Sequence, residues 1–266
     1  MLLPLEETLE APVFVIAHLS DPHLDGSVAA RDRLRRVTAY LRDFSRPVDV
    51  VLVTGDLADH GSESEYAEVA AELALDVPVL MLPGNHDVSA PLRTGLKEYV
   101  ESPGEGHPVH QVRDVAGARF VLLDTSVPGE DHGLLSAESL AWLTGVLAEP
   151  VEGPLFVAFH HPPNELQHPV LDQWILQSSE PFAEALRGRP VTALLAGHVH
   201  NGLATSFAGL PLLVAPGIRS TAPLPFEPAA RDGLVDLTAP PGLALHVHVP
   251  GQPLVTNYRF LTSTSQ

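Results

Sequence analysis

The chain contains no cysteine, which excludes disulfides, thiolate catalysis and cysteine-ligated zinc or iron–sulfur sites. Basic residues are scarce: 15 Lys and Arg stand against 33 Asp and Glu, a formal net charge of −18. Such a field repels nucleic-acid backbone and anionic membrane, so long polyanions are poor partners. A small anionic substrate is still admissible where local metal charge outweighs the global field. No apolar run approaches the length of a membrane span. Residues 1–12 carry acidic side chains but no basic region and no long apolar stretch, so they do not read as a signal peptide, and a cytoplasmic location is expected. The rest is ordinary for a globular protein: 266 residues with a hydrophobic fraction of 45% suit a single domain spanning 1–266 with a full core.

Against that background, five short motifs occur in order: Asp21-Pro22-His23, Gly55-Asp56, Gly84-Asn85-His86-Asp87, His160-His161 and Gly197-His198-Val199-His200. Each follows a short apolar run that reads as a buried strand, namely Val13 to Ala17, Val50 to Thr54, Val79 to Leu82, Leu155 to Phe159 and Val191 to Ala196. In an open α/β sheet, ligands bind at the carboxyl ends of strands, so the five motifs are expected to converge on one sheet edge. Between the runs, apolar residues recur at helical spacing: Leu34, Val37, Leu41 and Phe44; Tyr66, Val69 and Leu73; Leu140, Leu143 and Leu147. Ser62 and Glu65 form a capping box before the second of these. The alternation predicts a largely parallel sheet with crossover helices. From Val191 onward, strand-like runs at Leu210 to Ala215, Leu234 to Leu237, Leu243 to Val249 and Val255 to Phe260 predict a second, mixed or antiparallel sheet packed on the first, and the Pro-rich piece Ala222 to Asp232 reads as a loop.

The donors in these motifs suit a pair of divalent ions. On a strand, residues two apart point the same way, so Asp21 with His23 and His198 with His200 would each present two donors to one cluster. Asp56, a carboxylate with two oxygens, suits a bridging position, and Asn85 offers a neutral amide oxygen. Two divalent ions bring four positive charges and Asp21 and Asp56 cancel two, which leaves a site able to attract phosphate. Metals roughly 3.5–4 Å apart clamp the attacking and leaving oxygens of an in-line displacement. His86, beside Asn85, would then meet the phosphoryl oxygen or the leaving group, with Asp59 orienting its imidazole.

The set resembles the calcineurin-like metallophosphoesterase superfamily, whose pattern is D-x-H, G-D-x-x-D, G-N-H-(D/E), H and G-H-x-H; the motifs span residues 21 to 200. Within it, the stretches His18 to Leu24, Thr54 to Asp59 and Leu123 to Gly129 are similar to bacterial class III cyclic-nucleotide phosphodiesterases. The resemblance implies a four-layer α/β/β/α sandwich, with two mixed sheets flanked by helices. It implies one metal on Asp21, His23, Asp56 and His200 and another on Asp56, Asn85, His160 and His198. It also implies a metal-bridging hydroxide as nucleophile, iron, manganese or zinc as the ions, and homologues that often dimerise. One departure is that protein Ser/Thr phosphatases of the superfamily follow G-D-x-x-D with Arg-Gly, whereas Asp59 precedes His60-Gly61 here. The missing arginine removes their phosphate clamp, which favours small diesters over phosphoproteins.

The remaining histidines and the tryptophan have plainer readings. His161 shapes a turn with Pro162 and Pro163, with a role toward substrate as the lesser reading, His246 and His248 share one face of a strand, and His18 is a packed histidine. Asp87 either supports the site or satisfies backbone at its turn. His132, His168 and Trp174 fall in loops near the site, where Trp174 either stacks on a nucleobase or covers core. The function expected is hydrolysis of a small phosphodiester, a 3′,5′-cyclic nucleotide (cAMP or cGMP) before others, to the 5′-monophosphate, with His86 and Asp59 as catalytic residues and Asn85 and His86 meeting substrate. The alternatives are a glycerophosphodiesterase or other small-phosphoester hydrolase, and a catalytically silent protein-binding scaffold of the same fold.

Overall fold

The computed structural model describes residues 13–100, 104, 106–228 and 233–262. Residues 1–12 and the end of the Pro-rich piece, 229–232, lie outside them, so the readings made there are left as sequence expectations.

Eleven strands and five α-helices follow one another as β1 (Phe14–Leu19), α1 (Val28–Arg42), β2 (Val50–Thr54), α2 (Glu63–Glu72), β3 (Val79–Leu82), α3 (Ser89–Gly95), β4 (Gln111–Val115), β5 (Ala118–Leu123), α4 (Ala137–Val146), β6 (Leu155–Phe159), α5 (Ser179–Leu186), β7 (Ala193–Ala196), β8 (Leu203–Phe207), β9 (Leu210–Val214), β10 (Gly242–His248) and β11 (Val255–Phe260). They form two sheets, ordered β11-β10-β1-β2-β3 and β4-β5-β6-β7-β9-β8. Both are mixed: β1, β2 and β3 run parallel while β10 and β11 run antiparallel, and β5, β6, β7 and β9 run parallel between antiparallel edge strands.

The central strands are buried along their whole length, as expected for strands covered on both faces. Their two-residue period assigns each face. Ile16, Val50, Leu52, Leu80 and Leu82 of the first sheet pack against Phe120, Leu122, Phe156, Ala158 and Leu195 of the second. The alternate residues, such as Ala17, Val51, Val53 and Met81, pack against Leu34, Val37, Tyr66, Val69 and Leu92 of α1 to α3. On the far side, Val121, Val157, Phe159 and Leu194 pack against Leu143 of α4 and Phe182 of α5. Three apolar layers between four structural layers give the α/β/β/α sandwich. The capping box is formed as expected: Glu65 N donates to Ser62 Oγ and Ser62 N donates to Glu65 Oε2.

Three expectations need correction. The second sheet begins at β4, well before Val191. The last two strands do not join it: β10 pairs antiparallel with β1, setting Phe14 opposite His248, and extends the first sheet. Leu234 to Leu237 is not a strand but makes one isolated bridge, Thr221 with Asp236. Partner choice among strands depends on which free edge lies nearby in space, and β1 has one. The five motif strands are therefore divided, with β1, β2 and β3 in one sheet and β6 and β7 in the other, so the motifs meet across two sheets rather than along one edge.

Candidate metal centre and substrate cavity

The motifs begin where their strands end, after Leu19, Thr54, Leu82, Phe159 and Ala196. Beyond those points the backbone turns left-handed. Asp21, His23, Asp56, His198 and His200 have φ of 55°, 42°, 50°, 72° and 55°. The expected strand-like display of alternate residues is therefore not how these side chains are aimed. Non-glycine residues seldom adopt such angles, at a cost of about 1–3 kcal/mol each, and they persist only where surroundings over-determine them. Here Asp21 N donates to Gly55 O (3.1 Å), His23 N to Asp56 O (3.0 Å), and His198 N to Asp21 Oδ2 (3.1 Å). The loops are laced to one another rather than to solvent.

Close approach makes two glycines obligatory. A Cβ on Gly84 would overlap Asp56 Oδ1 and stand 2.5 Å from Asp56 N and 2.8 Å from His160 Cε1. Gly55, at φ +90°, would set a Cβ 2.5 Å from His160 Nδ1. Asp87 resolves its two readings in favour of backbone. Its buried carboxylate accepts from Leu57 N (3.1 Å), Ala58 N (3.2 Å), Gly84 N (2.9 Å) and the Tyr66 hydroxyl (3.1 Å), tying the loop after β2 to the loop after β3.

Two constellations of N and O atoms result. In the first, His23 Nε2 lies 3.2 Å from His200 Nε2 and 3.3 Å from Asp56 Oδ2, and His200 Nε2 lies 3.5 Å from Asp21 Oδ1. In the second, His160 Nε2 lies 3.1 Å from Asn85 Oδ1, 3.2 Å from His198 Nδ1 and 3.4 Å from Asp56 Oδ2. Asp56 Oδ2 faces both. The opposite ring nitrogens are anchored: His160 Nδ1 donates to Thr54 O (2.7 Å), His23 Nδ1 to Asp59 Oδ1 (2.9 Å), and His200 Nδ1 meets Ser220 Oγ (2.6 Å). A carbonyl only accepts, so His160 carries a proton on Nδ1 and Nε2 is the nitrogen that can offer a lone pair inward.

Paired inward lone pairs, a shared carboxylate and an amide oxygen are a donor set that fits divalent cations. Asp21, His23, Asp56 and His200 are buried with ligand atoms within 4.8 Å of one another, as are those of His160, His161 and His198. His198 Nε2 and His161 Nε2 are buried without partners. Burial opposes charge on His160, yet the Asp56 and Asp21 carboxylates overcome it and raise its pKa to about 9. Burial, aided by His160, pushes His198 down to about 3, and burial lifts Asp21 above the usual carboxylate range.

The carboxylate of Asp59 was expected on His86. It lies instead on His23, 3.6 Å from His86 Nδ1, and it is the Asp59 main-chain carbonyl that accepts from His86 Nδ1 (2.8 Å). The His86 ring sits edge-on to His23 with centroids 4.6 Å apart and lines a cavity of about 360 Å³ together with His23, Asp56, Asp59, Asn85, His198 and His200. Apolar side chains line it as well: Leu171, Trp174, Val199, Leu234, Val235 and Leu237.

Among the other residues singled out, His18 is fully buried between His246 and Thr54, and His168 caps backbone at Val170 and Leu171. His132 is not part of the cavity lining. One residue was read too plainly from the sequence and another escaped it. His161 is no mere turn residue: its buried ring touches both His160 and His198, with Nδ1 on Thr125 Oγ1 (2.8 Å). Arg219 lines the cavity from a loop that belongs to none of the sequence motifs, so the site is not without an arginine, contrary to the premise drawn from His60. No local pattern marks either.

The family profile described as calcineurin-like phosphoesterase matches residues 14–202. The chain is 37% identical to a cAMP/cGMP dual specificity phosphodiesterase of Mycobacterium tuberculosis, over 77% of this chain and 67% of that one. It is 27% identical to a probable glycerophosphodiester phosphodiesterase of Arcobacter nitrofigilis, over 93% of each. Its fold is similar to that of GAP50, the anchor in the inner membrane complex of Plasmodium, with a TM-score of 0.59 at 12% identity, covering 94% of this chain and 85% of that one.

Proposed function

The chain belongs to the calcineurin-like phosphoesterase family and is a phosphodiester hydrolase, and on that premise we propose that it cleaves 3′,5′-cyclic nucleotides to 5′-nucleoside monophosphates at a two-metal site. Asp21, His23, Asp56 and His200 would hold one ion, and Asp56, Asn85, His160 and His198 the other. When bound, the ions supply Lewis-acid polarisation of the phosphoryl group and activation of water.

The chain's own residues do the rest. Asp59 sets the tautomer of His23, Thr54 O sets that of His160, and Ser220 steers His200, so that lone pairs point inward. His86 is held by its Nδ1, which leaves Nε2 for the cavity. As water oxygen bonds to phosphorus, its proton passing to solvent, and the ester P–O bond breaks, a His86 ring protonated on both nitrogens gives its Nε2 proton to the departing oxygen, which becomes the free hydroxyl of the monophosphate.

The observation that carries the substrate reading is the mixed lining of the cavity, in which Leu171, Trp174, Leu234, Val235 and Leu237 join the polar donors. Val235 is 44% and Leu237 51% exposed, apolar surface that a nucleobase would cover and a glycerol headgroup would not. Trp174 also packs on the core of the second sheet, so its ring is fixed where stacking is useful. The Arcobacter relative favours a second reading, a glycerophosphodiester substrate. Comparing kcat/KM for cyclic AMP, cyclic GMP, glycerophosphocholine and bis-p-nitrophenyl phosphate separates them. Trp174→Ala should raise KM for the cyclic nucleotides by about tenfold, from stacking worth about 1–3 kcal/mol, and leave glycerophosphocholine unaffected. Preference for glycerophosphocholine by the parent enzyme overturns the cyclic-nucleotide reading.

We read 1–266 as one domain, since the two sheets share an apolar layer, and place it in the cytoplasm; no helix among the described residues is long and apolar enough to cross a membrane.

A further inference from the structure

A chain with net charge −18 must concentrate positive charge locally to hold an anion. Among the described residues that line the cavity, Arg219 is the one Lys or Arg. Its position is built, not incidental. Arg219 N donates to Asp21 O (3.0 Å), Ile218 N to Ser20 O (3.0 Å) and Gly217 N to His200 O (3.1 Å), which hooks the loop onto the motif backbone on both sides. From beneath, the Arg33 guanidinium of α1 grips Ile218 O (2.7 Å), Leu237 O (3.2 Å) and Ala239 O (2.6 Å). The Arg219 side chain, 22% exposed, gives Nη2 to Asp25 Oδ2 at 3.1 Å. No other acceptor meets its guanidinium among the described residues, and a guanidinium has five N–H donors suited to paired phosphoryl oxygens.

We propose that Arg219 is the phosphate-binding arginine of this site, taking a non-bridging oxygen of the phosphodiester and of the monoester product, with Asp25 as a built-in counter-ion that holds it in place and weakens its grip. The inference rests on the phosphoesterase reading of the cavity. It assigns to a distant loop the clamp that His60-Gly61 lacks, and it makes Asp25 a brake on product retention.

The test uses the metal-loaded full chain and inorganic phosphate and 5′-AMP as inhibitors of bis-p-nitrophenyl phosphate hydrolysis, with phosphate binding also measured by calorimetry. Arg219→Gln should weaken both inhibitors by about 10- to 100-fold, the worth of a hydrogen bond to a charged group. Arg219→Lys should recover part of that loss. Asp25→Asn should move the other way and tighten both by about two- to fivefold, as expected from releasing a partly exposed ion pair. The double variant should match Arg219→Gln alone. A merely structural ion pair would make Arg219→Gln and Asp25→Asn weaken binding alike and lower melting temperature alike, which overturns the proposal. So does an Asp25→Asn gain that survives in the Arg219→Gln background, because it would then be a general field effect. The generic diester keeps the outcome separate from the choice of cyclic nucleotide. If the parent hydrolyses no phosphoester at all, the site reading fails, while phosphate calorimetry on the same variants still decides the role of Arg219.

Discussion

Replacing Gly84 by alanine adds one methyl group at the point where three loops meet. That methyl overlaps Asp56 Oδ1, stands 2.5 Å from Asp56 N and 2.8 Å from His160 Cε1. The carboxylate alone could swing aside, but a backbone nitrogen and a ring whose Nδ1 is tied to Thr54 O cannot. Either the loops after β2 and β3 separate, breaking the Asp87 bonds to Leu57, Ala58 and Gly84, or Asp56 and His160 are pushed apart. Overpacking of this kind costs about 3 kcal/mol at the upper end, a fall in Tm of about 6–12 °C for a chain near this size. Displacing support from bound donors commonly costs about 10- to 100-fold in metal affinity. Gly145→Ala is the control: apart from its chain neighbours and the backbone of its own helix, α4, nothing lies within 4 Å of its Cβ position, so it should stabilise by up to about 1 kcal/mol. Thermal melts and metal content by elemental analysis read both effects. A Gly84→Ala protein with parental Tm and a full metal complement would refute the steric reasoning, and with it the claim that Asp56 and His160 share one tightly packed point.

Asp56→Ala should lose metal and activity together, because Asp56 Oδ2 is within 3.3 Å of His23 Nε2 and 3.4 Å of His160 Nε2, whereas His86→Ala should keep its metal while turnover drops by about 10²–10⁴-fold. The loss in His86→Ala should shrink with p-nitrophenolate as leaving group, and a variant that loses its metals would make His86 a ligand. Metal uptake should release protons near neutral pH: the metal-free His160, raised to about 9, holds a proton below that value and must give it up to present a lone pair. Calorimetry in buffers of different ionisation enthalpy should record about one proton per chain from this group at pH 7.5, vanishing as pH rises past about 9; pH-independent uptake would contradict it.

Much of this site was legible because its signals are local. Asp21-Pro22-His23 and Gly197-His198-Val199-His200 carry donor chemistry within a few residues, and each follows an apolar run long enough to be recognised as a buried strand. The capping box at Ser62 and Glu65 is local in the same sense, since both partners belong to one helical turn. The orienting role of Asp59 was only half visible. Its proximity to His86 follows from the motif, but which of its oxygens takes which imidazole depends on how the loop after β2 lies over His23. His161 looked like turn material beside two prolines, and its burial against two other rings depends on where β7 delivers His198, more than thirty residues away.

The sequence by itself determined the chemical inventory: no thiols, a field hostile to polyanions, and nitrogen and oxygen donors placed just beyond strand ends. Those are properties of composition and of short windows, where covalent connectivity fixes proximity. Only the tertiary structure decided that the donors meet between two sheets, that five of them sit in left-handed backbone, and that Arg219 and an apolar wall from 234 to 237 complete the cavity. These features follow from strand pairing and inter-loop hydrogen bonds between residues that are in places more than two hundred positions apart. Partners at that distance leave no periodicity in the chain, because the energy that selects them is the burial and hydrogen bonding gained when the sheets close on each other.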